Sequence, residues 1–221
     1  FLRLGSEYSC DERFRPYLIE KAISDCPKLE AIKQYIIGTR VIVGTTSMMT
    51  SKPFIFSLKH FKLAIIDESS QILEPNLIGL LSAVDKFILI GDYKQLPAVV
   101  QQNEQDSGIP TINDSQKGGI IDMSILQDIC LTNCRNSLFE RLIHWEDYEE
   151  RSEFIGILRR QGRMHPEIAE FPNQMFYRRE KLEPVPCPHQ LETELSYTLP
   201  SEDALDDLLK EHRMLFFPSK S

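Results

Sequence analysis

The chain has 221 residues, of which 42% are hydrophobic, so it is long and apolar enough for one large domain or two small ones. No apolar run reaches the roughly 18 to 20 residues that a membrane-spanning helix needs, and we expect no membrane partner. The formal net charge of −8 excludes a uniformly basic nucleic-acid coat protein. It leaves open a protein that binds phosphates in one groove.

The five cysteines are an odd number without a repeated C-x-x-C spacing, which argues against a disulfide framework and a zinc ribbon. They are predicted to be free thiols in a reducing compartment. The first residues, from Phe1 to Gly5, lack the order of basic, apolar and small residues that marks a signal peptide. We therefore expect an intracellular, cytoplasmic location.

Short, continuously apolar runs predict strands that are buried on both faces, as in a parallel sheet covered by helices. These runs are residues 40–44, 63–67, 87–91, 154–158 and 214–217.

Two helices are predicted between these runs. Pro75 opens one whose apolar face comprises Leu77, Ile78, Leu80, Leu81 and Val84, and Pro166 opens another with Ile168, Phe171, Met175 and Phe176 inward. Pro172 is expected to kink or split the second helix. The three prolines within residues 183–188 predict a linker or surface crossing. Alternating strands and helices indicate an α/β fold with a parallel sheet flanked by helices.

The second predicted strand ends at Asp67, and Glu68 directly follows it. In open parallel sheets, ligands lie outside the carboxyl ends of the strands. One carboxylate could hold a hydrated magnesium ion while the other orients or deprotonates an attacking water. Alternatively, Asp67 is a helix N-cap and Glu68 is a favourable charge in the first helical turn. The residues alone leave both interpretations open.

Asp92 and Gln95 follow the third predicted strand in the same way, within residues 91–97. A glutamine side chain can donate to a phosphate oxygen and accept from water, which suits a sensor of a terminal phosphate. The alternative is an ordinary polar loop.

Residues 66–71 (IDESSQ) and 89–97 (LIGDYKQLP) resemble motifs II and III of superfamily 1 helicases. Residues 137–142 (SLFERL) and 158–168 (LRRQGRMHPEI), followed by 171–173 and 176–177, resemble the Upf-like branch of that superfamily. That branch includes the nonsense-mediated decay helicase and the Dna two-type nuclease-helicases. The resemblance implies a P-loop NTPase fold with two RecA-like lobes. It also implies an ATP- and Mg²⁺-dependent motor that moves 5′ to 3′ on single-stranded DNA or RNA.

The resemblance also implies roles for individual residues. Asp67 would coordinate Mg²⁺ through water and Glu68 would be the general base. Gln95 would contact the terminal phosphate, and Asp92 would support its loop. Arg163 would be a cation that reaches the phosphates from the second lobe, and such an arginine can contribute about 10³ to 10⁵ in rate.

Two further assignments follow from the resemblance. Gln161 matches the polar, nucleotide-binding position of the motif that contains Arg163. Thr45 and Thr46, after the first predicted strand, match a motif that contacts the sugar-phosphate backbone of nucleic acid. From the residues alone, hydroxyls that cap a helix or turn are an equally good interpretation of these threonines.

By family order, residues 1–150 would form the C-terminal part of the first lobe and residues 151–221 the beginning of the second. The pattern G-x-x-x-x-G-K-[ST] does not occur in the sequence. We therefore interpret the chain as an internal fragment of an ATP-dependent helicase and expect the fragment alone to be inactive. The alternative is a non-catalytic RecA-like module that binds nucleic acid or a protein partner without turnover.

Overall fold

The computed structural model describes residues 1–24, 28–109, 123–192, 195 and 200–218. The chain divides into two compact units, Phe1–Arg151 and Ser152–Ser221. Helices alternate with short parallel strands in the described residues, so the chain is of the α/β class. Among those residues, no helix combines the length and apolar character needed to cross a membrane.

The first unit contains four strands and eight helices within its described residues. The strands are β1 (Leu2–Leu4), β2 (Ile42–Gly44), β3 (Phe61–Ile66) and β4 (Val84–Leu89). The helices are α1 (Ile19–Ala22), α2 (Leu29–Gly38), α3 (Thr46–Thr50), α4 (Phe54–Leu58), α5 (Pro75–Leu81), α6 (Glu104–Ser107), α7 (Met123–Asp128) and α8 (Leu138–Tyr148). Short 3-10 helices lie at Glu7–Ser9, Glu12–Tyr17 and Ser69–Gln71.

The four strands form two separate parallel pairs, β1 with β2 and β3 with β4. In the second pair, Phe61 lies opposite Val84 and Ile66 lies opposite Leu89. Parallel neighbours need a crossover connection, and α5 lies in the crossover from β3 to β4. Pro75 occupies the first turn of α5, where its missing N–H costs no helical hydrogen bond. The predicted strands at residues 40–44, 63–67 and 87–91 and the start of the predicted helix at Pro75 are therefore confirmed. The helix ends at Leu81, so the prediction was wrong for Val84, which begins β4.

A buried apolar cluster fixes α1, α2 and α4 against the first strand pair. Its members are Leu2, Leu4, Ile19, Ile36 and Ile55, each no more than 3% exposed. Removing one such side chain from water stabilises the fold by about 1.5 to 3 kcal/mol. The core of this unit therefore lies around β1.

The strands β3 and β4 are not buried on both faces, contrary to the expectation from their continuous apolar sequence. Leu63, Ile65, Phe87 and Ile88 are between 45% and 62% exposed. The helix α5 packs against β4, and its Leu77 is fully buried, but Ile78 of the predicted apolar face is 53% exposed. A sheet of two strands is too narrow for helices to cover all of both faces, whereas the apolar pattern suits a wider sheet.

The second unit contains β5 (Arg160–Gln161), β6 (Glu183–Pro184), α9 (Pro166–Met175), α10 (Pro188–Leu191) and α11 (Ala204–Glu211). The predicted strands at residues 154–158 and 214–217 are wrong, since neither segment forms a strand with any part of the chain that the structure describes. Phe154 and Leu158 are 74% and 86% exposed, so the first of these apolar runs is not a core strand.

The prolines at 183–188 do not form a simple linker, because Glu183 and Pro184 pair in parallel with Arg160 and Gln161. The N–H groups of Glu183 and Val185 donate to the carbonyls of Arg159 and Gln161 at 2.8 and 3.0 Å. The two N–H groups that bond to the neighbouring strand belong to the residues before and after Pro184. The missing N–H of Pro184 therefore removes no hydrogen bond between the strands.

Helix α9 continues through Pro172 without being split, and its predicted apolar face is wrong. The four side chains expected to point inward are 37% to 55% exposed, and they are Ile168, Phe171, Met175 and Phe176. The buried residue is Ala169, and Asn173, one turn later, exchanges hydrogen bonds of 2.7 and 3.0 Å with the backbone of Leu182. The hydrogen bonds of Asn173 set the orientation of this helix, and burial of its largest side chains does not.

A mostly buried ion pair ties α8 to the start of α5. Arg141 donates from Nη2 and Nε to the two carboxylate oxygens of Glu74 at 2.6 and 2.8 Å, and the side chains are 11% and 18% exposed. Its Nη1 also donates to the carbonyl of Ile129 at 2.7 Å. A bidentate arginine holds both carboxylate oxygens in one plane, so this pair fixes the entry to the crossover helix.

We predict that Arg141→Met lowers the free energy of unfolding by about 3 kcal/mol, because it leaves a mostly buried carboxylate without its partner. Urea unfolding of the 221-residue chain measures the change. Arg13→Met is the matched control, since Arg13 also binds a carboxylate, that of Asp11, but is 79% exposed. We expect little or no change for this control. Equal destabilisation by both variants would contradict a special role for the buried pair.

Candidate functional site

The loops after β3 and β4 begin side by side, because the last residues of these strands, Ile66 and Leu89, are register partners. The N–H of Ile90 donates to the carbonyl of Ile66 at 2.8 Å, and the N–H of Ser69 donates to the carbonyl of Ile90 at 2.8 Å. The backbone pairing therefore continues past the strands and brings the two predicted site loops together at one sheet edge.

Two buried serines extend this connection through their side chains. Ser69 is fully buried, and its hydroxyl donates to the carbonyl of Ile90 at 2.8 Å. Ser70 is 5% exposed, and its hydroxyl accepts from the backbone N–H of Asp92 at 3.2 Å. A buried donor or acceptor without a partner costs about 1 to 3 kcal/mol, so these bonds specify the relative position of the two loops.

Gly91 makes this close approach possible. A Cβ atom at this position would lie 2.8 Å from the backbone nitrogen of Ser70 and 3.2 Å from the hydroxyl oxygen of Ser69. A contact of 2.8 Å is shorter than real side chains show, and the backbone atom it meets cannot swing away. A residue without a side chain is therefore required between β4 and Asp92.

Asp67 and Glu68 are both exposed at this edge. An oxygen of Asp67 accepts from the N–H of Glu68 at 3.0 Å, and an oxygen of Glu68 accepts from the amide of Gln71 at 3.3 Å. Glu68 precedes the Ser69–Gln71 helix, but its side chain makes no capping bond to it. The helix-capping interpretation of this acidic pair therefore does not describe the turn.

The backbone of Glu68 is left-handed, with φ 51° and ψ 34°. This conformation is unusual for a residue with a side chain and costs about 1 to 2 kcal/mol. It turns the chain sharply between β3 and the buried serines. Strain of this kind is often found at functional sites.

Asp92 shapes the second loop with both of its carboxylate oxygens. One accepts from the N–H of Lys94 at 3.0 Å, and the other accepts from the side-chain amide of Gln95 at 2.9 Å. Gln95 itself is exposed. Asp92 therefore acts within the protein as an anchor for the turn, and it orients the amide of Gln95 at the same edge as Asp67.

The carboxylates at this edge are the donors available for a cation. Among the described residues, no group of three or more His, Cys, Asp or Glu side chains is arranged to hold a metal. One exposed aspartate, Asp67, fits Mg²⁺ better than a zinc or calcium ion, because Mg²⁺ keeps most of its waters and is often bound through one or two carboxylates together with substrate phosphates.

Thr45 and Thr46 lie at the start of α3, after β2. The hydroxyl of Thr45 accepts from the N–H of Met48 at 3.3 Å, so the helix-capping interpretation describes this residue. Thr46 lines a shallow cavity of about 350 Å³ with Ser47, Thr50, Ser51 and Asn76. Hydroxyls and an amide thus converge on one open surface near α3.

Gln161 and Arg163 lie in the second unit, Gln161 as the last residue of β5 and Arg163 in the turn between β5 and α9. Arg163 is exposed and is not part of a helix, so it is not a charge on a helix surface. The amide oxygen of Gln161 accepts from the N–H groups of Arg163 and Met164 at 2.9 and 2.6 Å, and its nitrogen donates to the carbonyl of Met164 at 2.8 Å. Gln161 therefore uses its amide within the turn that contains Arg163.

Sequence reasoning assigned no role to Ser69, Ser70 or Gly91, although they lie beside the predicted site residues. The signal that could have identified them is a pair of small hydroxyl residues after one parallel strand and a glycine after its neighbour. Such residues allow two backbones to approach closely and to bond.

We predict that Gly91→Ala destabilises the chain by about 1 to 3 kcal/mol, because the added methyl group forces the two loops apart. Gly79→Ala is the matched control: Gly79 lies within α5, and a Cβ there would meet nothing within 4 Å. We expect this control to be stabilising by about 0.5 to 1 kcal/mol, since alanine favours helix over glycine. Thermal unfolding of both variants measures the difference, and a neutral Gly91→Ala would refute the close approach.

Comparison with known proteins identifies the family. Two family models, both described as an AAA domain, match residues 20–103 and 134–217. The DNA replication ATP-dependent helicase/nuclease DNA2 of Xenopus laevis is 29% identical over 182 residues, which cover 80% of this chain and 14% of that protein. An uncharacterized ATP-dependent helicase of Methanocaldococcus jannaschii is 35% identical over 138 residues, covering 62% of this chain and 16% of its own length.

A protein named Probable helicase MAGATAMA 3, from Arabidopsis thaliana, is 33% identical over 152 residues, covering 67% of this chain and 15% of that protein. The chain thus spans only 14% to 16% of the length of these three relatives. The regions that the two family models match include both loops of the site and the turn with Arg163. The chain belongs to the superfamily 1 helicases, in their Upf-like branch.

Proposed function

We propose that the chain is a segment of an ATP-driven motor that couples ATP hydrolysis to movement along single-stranded DNA or RNA, in the 5′ to 3′ direction. In this proposal the first unit belongs to one RecA-like lobe and the second unit to another. The observation that carries the proposal is the joining of the Asp67-Glu68 loop to the Asp92-Gln95 loop by buried serines at the carboxyl ends of two parallel strands. Such edges are where nucleotides bind in α/β folds.

In the proposed reaction, Asp67 holds Mg²⁺ through its water shell. Asp67 is exposed, and among the described residues only one of its oxygens accepts a hydrogen bond, from the N–H of Glu68. This supports outer-sphere coordination, in which the second carboxylate oxygen of Asp67 can accept a hydrogen bond from a water molecule bound to Mg²⁺. When bound, Mg²⁺ would neutralise charge on the phosphates during hydrolysis.

Glu68 is proposed to be the general base toward the attacking water. Its carboxylate is exposed, and its left-handed backbone sets it at a sharp turn beside Asp67. The bond from Gln71 to one oxygen at 3.3 Å restricts the rotation of the carboxylate. A base must be held within reach of the water that it deprotonates, so this restraint supports the assignment.

Gln95 is proposed to contact the terminal phosphate. Asp92 accepts one amide hydrogen of Gln95 and thereby orients the side chain. The amide has a second hydrogen and an oxygen that can donate to a phosphate and accept from water. Loss of the phosphate would release Gln95, and the buried serines would transmit that change to the loop of Glu68.

Arg163 is proposed to supply a positive charge to the same phosphate. It is exposed and forms no ion pair among the described residues. Gln161 is proposed to act on nucleotide binding indirectly, by holding this turn, since its amide already bonds to the backbone of Arg163 and Met164. The support for both assignments is the family motif and the geometry of the turn.

The nucleic-acid strand is proposed to contact the surface near α3, through Thr46 and the hydroxyl N-cap Thr45. The polar lining of the adjacent cavity supports a contact with sugar and phosphate groups, which position a strand without reading its sequence.

Cys10, Cys130, Cys134 and Cys187 are free, which supports the proposal of a reducing, cytoplasmic environment. The 221 residues alone are proposed to be inactive, since their sequence has no phosphate-binding G-x-x-x-x-G-K-[ST] loop.

The first test of this proposal is Glu68→Gln in the full-length enzyme. We expect ATP binding to persist while hydrolysis falls about 10² to 10⁴-fold, because the substitution keeps the shape and removes the base. Glu150→Gln is the matched control, since Glu150 also has a left-handed backbone, with φ 53°, but lies outside both loops. Steady-state hydrolysis and nucleotide titration measure the two effects. An unchanged kcat for Glu68→Gln would remove it from the reaction.

The second test concerns the shared phosphate. Gln95→Ala and Arg163→Ala should each lower turnover stimulated by single-stranded nucleic acid more than they weaken nucleotide binding. If both side chains act on one transition state, the losses of activation free energy in the double variant should be non-additive. The measurements are stimulated kcat and nucleotide Kd for the single and double variants. Simple additivity, or an intact turnover in Arg163→Ala, would contradict the model.

A further inference from the structure

Gln190 is a buried polar side chain in the second unit that neither the motif nor the proposed chemistry uses. It is 2% exposed and lies in α10, after the proline-rich segment. Its amide nitrogen donates to the carbonyls of Gln161 and Met164 at 2.9 and 2.8 Å, and its oxygen accepts from the N–H of Cys187 at 3.1 Å. Both of its hydrogens are therefore directed at the turn that contains Arg163.

Further hydrogen bonds hold the same turn. Gln161 bonds with its side chain to both N–H groups at Arg163 and Met164, and His189 bonds through Nε2 to the carbonyl of Gly162 at 2.8 Å. The carbonyl of Gln161 also accepts from the N–H of Val185 at 3.0 Å. The backbone on both sides of Arg163 is thus fixed, while its guanidinium remains exposed.

We propose that Gln190 is a positioning residue for Arg163: it fixes the backbone from which the arginine reaches the phosphate. This inference rests on the proposed function, because it requires that Arg163 acts in ATP hydrolysis. The side chain of an exposed arginine is flexible. It is placed more accurately against a phosphate when its backbone cannot move. A misplacement of 1 Å in a catalytic group can cost about 10²-fold in rate.

Packing alone does not account for a glutamine at this position. A buried amide is tolerated only when its hydrogen bonds are made, and an apolar side chain of similar length would fill the space without that requirement. The two donors matter because they bind carbonyl oxygens, which an acidic or apolar substitute cannot do. The chemistry of the amide, and not its volume, is therefore the property to test.

Three variants of the full-length enzyme separate these effects. Gln190→Glu keeps an acceptor for the N–H of Cys187 but places a carboxylate oxygen against two carbonyls. Gln190→Met keeps the length and removes both donors. Gln174→Glu is the matched control, since Gln174 is an exposed glutamine in the same unit that donates to Glu170.

The first readout is amide hydrogen exchange at Arg163 and Met164, which reports the order of the turn independently of activity. We expect exchange about tenfold faster in Gln190→Glu and Gln190→Met and unchanged in Gln174→Glu, because each lost bond loosens the turn. Unchanged exchange in both Gln190 variants would overturn the proposal.

The second readout is turnover stimulated by single-stranded nucleic acid. We expect kcat to fall by about 10-fold to 10²-fold with the KM for ATP nearly unchanged, and we expect no further loss when Arg163→Ala is already present. Faster exchange with normal kcat, while Arg163→Ala is impaired, would overturn the positioning role and leave the proposed function intact. A normal kcat in Arg163→Ala itself would overturn both.

Discussion

The hydrogen bonds of two buried serines hold the candidate site together. The loops after β3 and β4 each carry a pair of proposed functional residues, and contacts between the loops add to the strand pairing in setting the separation of those pairs. Ser69 and Ser70 supply these contacts by bonding to Ile90 and Asp92. Gly91 lets the two backbones come close enough for the bonds to form. The acidic pair and the amide of Gln95 therefore lie on two loops that are bonded to each other at one edge.

Much of the first unit could be predicted from the sequence, because a continuous apolar run followed by an acid is a local signal. The positions of β3, β4 and α5 follow from such signals. The second unit was predicted poorly for a physical reason: its strands have only two residues each, which is too short for a continuous apolar run to mark them. Apolar sequence at residues 154–158 and 214–217 indicates hydrophobicity, but pairing needs a neighbour with free donors and acceptors.

The candidate site, too, could be predicted from the sequence only in part. Asp67, Glu68, Asp92 and Gln95 could be placed at one edge from the sequence, since the carboxyl ends of parallel strands meet there. The use of Gln161 within its own turn could not be predicted, because a glutamine amide binds a backbone as readily as a ligand. Gln190 carries no local signal at all, since the carbonyls that it binds lie 26 and 29 positions earlier in the chain. The orientation of α9 was missed for a related reason, because Asn173 anchors the helix through a contact that no periodicity reveals.

The left-handed backbone of Glu68 has an evolutionary consequence. Glycine adopts this conformation without steric cost and asparagine with little, whereas a glutamate gives up folding free energy to remain there. In a related protein that keeps this turn but does not need the carboxylate, selection for stability should therefore favour glycine or asparagine at this position. On the proposed function, a relative that retains glutamate here keeps it for its carboxylate and at a cost in folding stability. The identity of this single residue thus offers a criterion for separating members of the family that hydrolyse ATP from members that have lost this activity.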